Sequence, residues 1–362
     1  MAIGGGGTYV ERQEEVMASV SIKDVATLAG VSVGTVSNVL NRPATVRATT
    51  RAKVESAIAK LGFVPNASAR QLAAGRSRTL AYLVLDAANP FFTDVARGIE
   101  EVAKAEGLTL FICNSDLDAE REDQYLEQLT ELRARGVLIT AMDYANPRLQ
   151  RLRDAGVPVV LVDRAPEGSD DWCTVGVDDV AGGGLAVTHL TDAGHRHLAF
   201  VGGPADIPQV HDRHAGALKA LNTAGPAPEK LVWIETQALT ITEGRRAGER
   251  LLGLPRRTRP TGVFCANDLL ALGLLQHLTQ HGVNVPDDIA IVGFDDVEYA
   301  AAAAVPLTSV AQPRNQLGRT AALLLMEEVE NGPTHEHQHV VFSPELVARA
   351  STSTATRARR RA

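Results

Sequence analysis

Residues Ser32–Asn41 read SVGTVSNVLN. Val33, Val36 and Leu40 fall at helical spacing and predict a stripe facing a core. The other face then carries Gly34, Thr35, Ser37, Asn38 and Asn41, mediocre helix formers whose presence on a helix needs a reason. Small hydrogen-bonding groups pressed close to a partner supply one. Just upstream, SIKDVATLAG sets Ile22, Val25, Ala26 and Leu28/Ala29 on one helical face and ends at Gly30. Gly30 accommodates the positive φ of a tight turn, and Ser32 suits the N-cap of the next helix. Ala26 is small where the helices cross, and Val36 plugs their shared core. This spacing predicts a helix-turn-helix whose second helix presents Val33, Gly34, Thr35, Ser37 and Asn38. Thr35 and Ser37 suit phosphate oxygens, and Asn38 suits a base edge in a major groove.

A third helix follows in TTRAKVESAIAKLGF, with Thr49 or Thr50 as cap and Val54, Ala57, Ile58 and Leu61 inward. Arg47, Arg51 and Lys53 near its start are within reach of phosphate. Next comes VPNASARQLAAGRS, where Pro65 breaks the chain, Asn66 caps and Gly75 ends the segment. The helix between is about two turns, too short to stand alone in water. Leu72 on it reads as a wedge for a minor-groove base step. Charge agrees: residues 1–80 hold 10 Lys+Arg against 5 Asp+Glu, whereas residues 81–362 hold 26 against 38, within a chain of net charge −7. A basic head on an acidic body suits a nucleic-acid module carried by a globular domain.

From Leu80 onward, apolar runs alternate with amphipathic helices: LAYLVLD, LTLFICNSD, GVLIT, PVVLVDR, HLAFVGG, LVWIET, GVFCAND and IAIVGFDD. That pattern predicts parallel sheets covered by helices, in two lobes. Polar groups follow the strands: Asp86 and Asn89–Phe92, then Asp163 and Arg164, Asn267 and Asp268, and Asp295 and Asp296. Ligands of open α/β sheets bind outside the carboxyl ends of strands. Asn89, Asp163, Arg164, Asn267 and Asp295 are therefore expected to converge on one cleft with Phe91 and Phe92. Carboxylates and amides suit vicinal hydroxyls, and Phe rings suit the apolar face of a sugar.

IKDVATLAGVSVGTVSNVLN followed by VPNASARQLAAGRS resembles the headpiece and hinge of the LacI/GalR family of bacterial transcription regulators. The ordered set NPFF, CNSDLDAEREDQYLEQL, VVLVDR, FCANDLLALG, IVGFDD, PLTSVAQP and ELVARAST extends the resemblance from about Ser21 to Thr352. The resemblance implies a small all-α helix-turn-helix headpiece plus an α/β two-lobed periplasmic-binding-protein-like core with parallel sheets. It implies a homodimer on a near-palindromic double-stranded DNA operator, with Leu72 and its mate at a central step, Ala69 packed beside it, and recognition by Val33, Gly34 and Asn38. Many family members carry Arg or His at the Asn38 position, so no base preference carries over. The resemblance adds Arg213 and Gln312 to the effector set, which then looks like that of ribose-type receptors. A pentose or similar small sugar is expected to release the protein from DNA by closing the lobes.

The expected organisation is a disordered extension over 1–18, a headpiece over 19–64, a hinge over 65–78, a core over 79–352 and a basic disordered tail over 353–362. Within the core, the first lobe is expected to take 79–174 and 306–338 and the second 175–305 and 339–352, with crossings in VDRAPEGSDDWCTVGVDD and PLTSVAQP. Met17 is a candidate start. No apolar run reaches the roughly 20 residues of a membrane span, and the N-terminus lacks a charged-then-apolar signal pattern. Cys113, Cys173 and Cys265 form no CxxC, as in a reducing cytoplasm, so the expected place is the cytoplasm, at the nucleoid. A transport receptor is opposed by the headpiece. An enzyme using Asp163 and Asp295 as acid and base is opposed by the lack of a nucleophile elbow or metal signature. No cofactor and no metal are expected. His335, His337 and His339 in THEHQHVVF are read as a solvated loop or strand edge, and AGGG at Ala181–Gly184 as close helix packing.

Overall fold

A computed structural model describes residues 20–64, 77–164, 171–223 and 231–352. The extension, most of the hinge with Asn66, Ala69 and Leu72, and the tail lie outside these residues. The chain divides into two compact units, one ending at Ser77 and one beginning at Arg78.

Among the described residues, the first unit is a three-helix headpiece. In α1 (Ile22–Ala29), Ser21 and Asp24 form a reciprocal capping box, and Gly30 closes the helix at φ 66°. In α2 (Val33–Asn41), the Ser32 hydroxyl accepts from the Thr35 amide at 3.1 Å, satisfying one of the helix's free N–H groups. Arg47, not Thr49 or Thr50, occupies the N-cap of α3 (Ala48–Leu61), without a side-chain bond. The two threonines fall inside its first turn. The core consists of Val25, Ala26, Val36, Val39, Val54 and Ala57, flanked by half-buried Leu40, Ile58 and Leu61. Two expectations shift here. Val39, rather than Val33, partners Val36, because Val33 opens α2 beyond the edge of this small core and stays 41% exposed. Leu28 also points outward, at 51% exposure.

Among the described residues, the second unit holds two six-stranded sheets. The first joins β1 (Thr79–Val84), β2 (Thr109–Asn114), β3 (Gly136–Ile139), β4 (Val159–Asp163), β5 (Cys173–Val177) and β11 (His339–Phe342) in the order β11-β5-β4-β3-β1-β2, all parallel. The second joins β6 (Leu198–Gly202), β7 (Val232–Glu235), β8 (Gly262–Cys265), β9 (Ala290–Asp295), β10 (Thr308–Ala311) and β12 (Glu345–Val347) in the order β12-β10-β9-β8-β6-β7. Only β12 runs antiparallel. Helices α4 (Pro90–Ala105), α5 (Ala119–Glu131), α6 (Pro147–Asp154) and α12 (Arg314–Asn331) serve the first lobe, and α7 (Asp179–Asp192), α8 (Pro208–Thr223), α9 (Ile241–Gly253), α10 (Asp268–Gln280) and α11 (Glu298–Ala302) the second. Central strands such as β4 and β9 are buried throughout, as sheets covered on both faces require.

Two crossings fall inside the expected stretches VDRAPEGSDDWCTVGVDD and PLTSVAQP, but the residue bounds of the lobes shift. Cys173–Val177 hydrogen-bonds beside β4 and β11, so the first crossing comes after it, at Asp178. Thr308–Ala311 pairs with β9, so the second crossing comes at the end of PLTSVAQP, at Gln312–Pro313. His339–Phe342 belongs to the first lobe, and a third crossing at 343–344 leads into β12. Each lobe repeats one strand order, its second strand outermost beside its first and its third on the other side. The order reverses between β1 and β3 and again between β6 and β8, and such switch points open the crevices where ligands bind.

Candidate functional site

A cavity of about 280 Å³ lies where those strand ends face each other across the lobes. Asn89, Phe91 and Phe92 reach it from the start of α4, Asp163 from the end of β4, and Arg213 from α8. Asn267 and Asp295 complete the expected lining from the ends of β8 and β9. Phe91 and Phe92 meet edge to face, with ring centroids 5.2 Å apart. Asn89 and Asn267 also cap helices, accepting from the amides of Phe91 and Leu270 at 3.0 Å each. The structural and binding readings of these two residues therefore coincide.

Arg213 organises the polar wall. Its Nε donates to Asp179 at 2.7 Å, its Nη1 donates to the Ala266 carbonyl at 2.7 Å, and Asp295 lies 3.8 Å from Nη1. The guanidinium carbon stands 3.7 Å from the Phe294 ring centroid, a cation–π contact. Close packing of α7 on α8 fixes the backbone that carries it. A Cβ on Gly183 would lie 1.9 Å from the Arg213 carbonyl oxygen, and one on Gly216 1.9 Å from that of Val180. The AGGG run is thus a helix contact, as expected.

Burial drives the carboxylates upward in pKa. Asp163 is pushed well above the usual range by desolvation and by the nearby Asp179 charge, against the pull of Arg213. Asp295 is raised by desolvation, with Arg213 and Gln312 opposing. Desolvation lifts Asp179 to about 6 despite Arg213. One guanidinium does not offset three buried carboxylates. The backbone is strained at the same place: Asp116, Leu117, Asp163 and Asp295 line the cavity with φ of 58°, 56°, 73° and 99°. Non-glycine residues persist in that region where surrounding structure holds them, commonly at functional sites.

Two expected residues lie outside the lining. Arg164 pairs with Asp212 at 3.4 Å, linking β4's end in one lobe to α8 in the other. Gln312 sits behind the wall in the bonding sense: its Nε2 donates to Asp295 at 2.8 Å. Several lining residues were not expected: Asp116 and Leu117 after β2, Gln209 on α8, and Gln237–Thr240 after β7. Gln209 stands one helical turn before Arg213, and its Nε2 donates to Asp163 across the cleft at 2.9 Å. The others obey the strand-end rule already used, applied to the two edge strands.

In the headpiece, Val33, Gly34, Asn38 and Arg47 are exposed, and Thr35 and Ser37 half-buried. Ser32 Oγ contacts Thr35 Oγ1 at 2.9 Å, and Asn41 donates to Ser37 Oγ at 3.2 Å. Asn38 stands free of such intra-helix bonds at an exposed position. No helix among the described residues is long and apolar enough to cross a membrane.

Residues 21–66 match the profile of bacterial regulatory proteins of the lacI family, and residues 187–352 that of the periplasmic binding protein-like domain. The HTH-type transcriptional repressor PurR of Aliivibrio fischeri is 35% identical over 92% of this chain and 98% of its own. A LacI family transcriptional regulator from Enterococcus faecium with bound ribose is 30% identical, with TM-score 0.69, over 76% of this chain and 98% of its own. The lac repressor dimer bound to operator and the anti-inducer ONPF is 27% identical, with TM-score 0.77, over 92% and 99%. The chain is a DNA-binding transcriptional repressor with a ligand-binding core, not an enzyme, and it belongs to the lacI family.

Proposed function

We propose that this repressor binds a near-palindromic operator as a homodimer in the cytoplasm and is released by a small neutral sugar of pentose size, ribose-like, held between the lobes. In this reading Val33, Gly34 and Asn38 meet base edges, and Thr35, Ser37 and Arg47 meet phosphates. Asn66, Ala69 and Leu72 act at the minor groove. Phe111 and Ile112 on edge strand β2, 55% and 51% exposed, support an apolar partner surface. Asn89, Phe91, Phe92, Asp163, Arg213, Asn267 and Asp295 hold the sugar, joined by Gln209. Arg164 acts at the cleft's rim, and Gln312 orients Asp295.

One observation carries the choice of ligand. Asp163 Oδ1 and Gln209 Oε1 are buried in the wall without hydrogen-bond partners, and an unmatched buried acceptor is costly. They call for donors, which sugar hydroxyls provide. Asp86, Asp116, Asp163 and Asp295 line the cavity, while Arg213 is already committed to Asp179. That electrostatic balance disfavours phosphorylated ligands. The volume falls at the small end of ligand cavities. Relatives named PurR bring a purine base into consideration as a second ligand.

A thermal-shift screen against ribose, other pentoses, hexoses, sugar phosphates and purine bases tests the reading, since a ligand selective for the native state raises the midpoint by mass action. A saturable rise with ribose or a close pentose is expected, together with release of a fluorescent operator at the same concentrations. A rise with a purine alone, or with sugar phosphates alone, would refute the pentose assignment.

A further inference from the structure

The edge of the first lobe opposite the cavity gathers a different chemistry. Cys173 opens β5, Glu328 lies in the last turn of α12, and His335 and His337 lie in the stretch leading into β11. Cys173 Sγ stands 3.1 Å from His335 Nε2 and 3.8 Å from His337 Nδ1. One ligating atom from each of the four residues falls within 4.8 Å of all the others. His339 takes no part; its Nδ1 contacts Thr174 Oγ1 at 2.9 Å. The sequence reading of this histidine run as a solvated strand edge misses the cluster, because Cys173 and Glu328 come from distant parts of the chain.

We propose that Cys173, Glu328, His335 and His337 bind a divalent transition-metal cation of the zinc class. The donor set is one sulfur, two imidazole nitrogens and one carboxylate oxygen, which suits a borderline-soft cation in four-coordinate tetrahedral geometry. Metal–sulfur bonds of about 2.3 Å and metal–nitrogen bonds of about 2.0 Å put donors on a tetrahedron's edges at separations like those here. Two further observations point the same way. Glu328 Oε2 is buried without a hydrogen-bond partner, so the cluster does not satisfy itself. The Gln338 amide approaches Cys173 Sγ at 3.4 Å, a donor to a sulfur that would carry charge as a ligand. Thiolate and carboxylate together neutralise a divalent cation. The thiol gives up its proton on binding the cation.

The three segments so joined are β5, α12 and the lead into β11. Each belongs to a stretch of the first lobe adjoining one of the three crossings. A bound cation therefore fastens the lobe's edge strand and the end of its long helix to β5, remote from the sugar cavity at the other ends of the strands.

The test uses the untagged full chain, stripped with a chelator and titrated with Co²⁺ as a spectroscopic probe. One equivalent per chain is expected to produce a thiolate-to-metal charge-transfer band and the visible bands of tetrahedral cobalt, both displaced by Zn²⁺. Cys173→Ser is expected to abolish the charge-transfer band, and His337→Ala to weaken Co²⁺ binding at least tenfold. His337 is half-buried in a connecting stretch, so its variant carries the test even where the cysteine variant folds poorly. Zn²⁺ is expected to raise the thermal midpoint of the parent chain and not that of His337→Ala. A parent chain with no cobalt band, or a band that survives unchanged in both variants, overturns the proposal.

Discussion

Arg213 and Gln209 occupy successive turns of one helix, and they distinguish two kinds of pocket residue. Removing Arg213 leaves Asp179 without its ion-pair partner and Asp163 and Asp295 without the guanidinium between them. Breaking a buried ion pair on one side costs about 3–5 kcal/mol, so Arg213→Ala confounds binding with folding. Gln209→Ala is the cleaner probe. It is expected to weaken sugar binding by about 0.5–1.5 kcal/mol, the net worth of a hydrogen bond between neutral groups, as isothermal titration would measure. Unchanged affinity would remove Gln209 from the binding set. The carboxylates also predict a pH dependence. With its folded pKa raised to about 6 from 3.8, Asp179 binds more protons folded than unfolded between those values. Its contribution to stability therefore rises as pH falls through 6 and levels off below about 4. A sugar whose hydroxyls donate to Asp163 and Asp295 prefers their ionised forms. Its affinity should thus fall as the solution is acidified below neutrality, with protons released on binding. Titrations in buffers of different ionisation enthalpy would detect that release, and proton uptake would contradict the donor geometry.

Among the elements, the contact of α7 with α8 sets the position of the polar wall. Gly183→Ala forces a methyl against the Arg213 carbonyl, whose neighbour is backbone and not a yielding side-chain end. Overpacking of this kind typically costs about 1–3 kcal/mol. The expected result is a lower melting temperature together with weaker sugar binding, because the helices separate at the residue bearing the guanidinium. Gly184→Ala, with nearest neighbour at 3.8 Å, is the control expected to leave binding intact. Local chemistry made much of this architecture legible. The Gly30 turn, the Ser32 cap and eight apolar runs each form what their residues predict. CTVGV, TSVA and ELV are not legible as strands, and HVVF only as a loop or strand edge. They are three to five residues long, and partners far along the chain make them strands. Their misassignment displaced every lobe boundary. The same limit hid Gln209, whose partner Asp163 lies 46 residues away, whereas Asp163 and Asp295 were found because the end of a strand locates them without a partner.

At the scale of the whole molecule, any coupling between effector and operator binding must be reciprocal. If bound sugar lowers operator affinity by some factor, bound operator lowers sugar affinity by the same factor. Couplings of this kind usually amount to about 1–3 kcal/mol, or roughly 5–150-fold. The charge asymmetry adds a second handle. The net positive charge lies in the head, where Arg47, Arg51 and Lys53 are positioned near the start of α3, and the remainder of the chain is net acidic. Operator affinity should therefore fall steeply with salt as counterions are released from the phosphates, while a neutral sugar's affinity for the core should hardly respond. Fluorescence anisotropy with operator DNA, at several salt concentrations and with and without saturating ribose, measures both quantities. Titrating sugar into the preformed operator complex closes the cycle. At every salt concentration, the factor on operator affinity at saturating sugar must equal the product of the factors on the dimer's two sugar sites if those sites control DNA binding. A sugar that binds tightly yet leaves operator affinity unchanged would show that the cavity binds this ligand without regulating DNA, and the effector would have to be a different molecule.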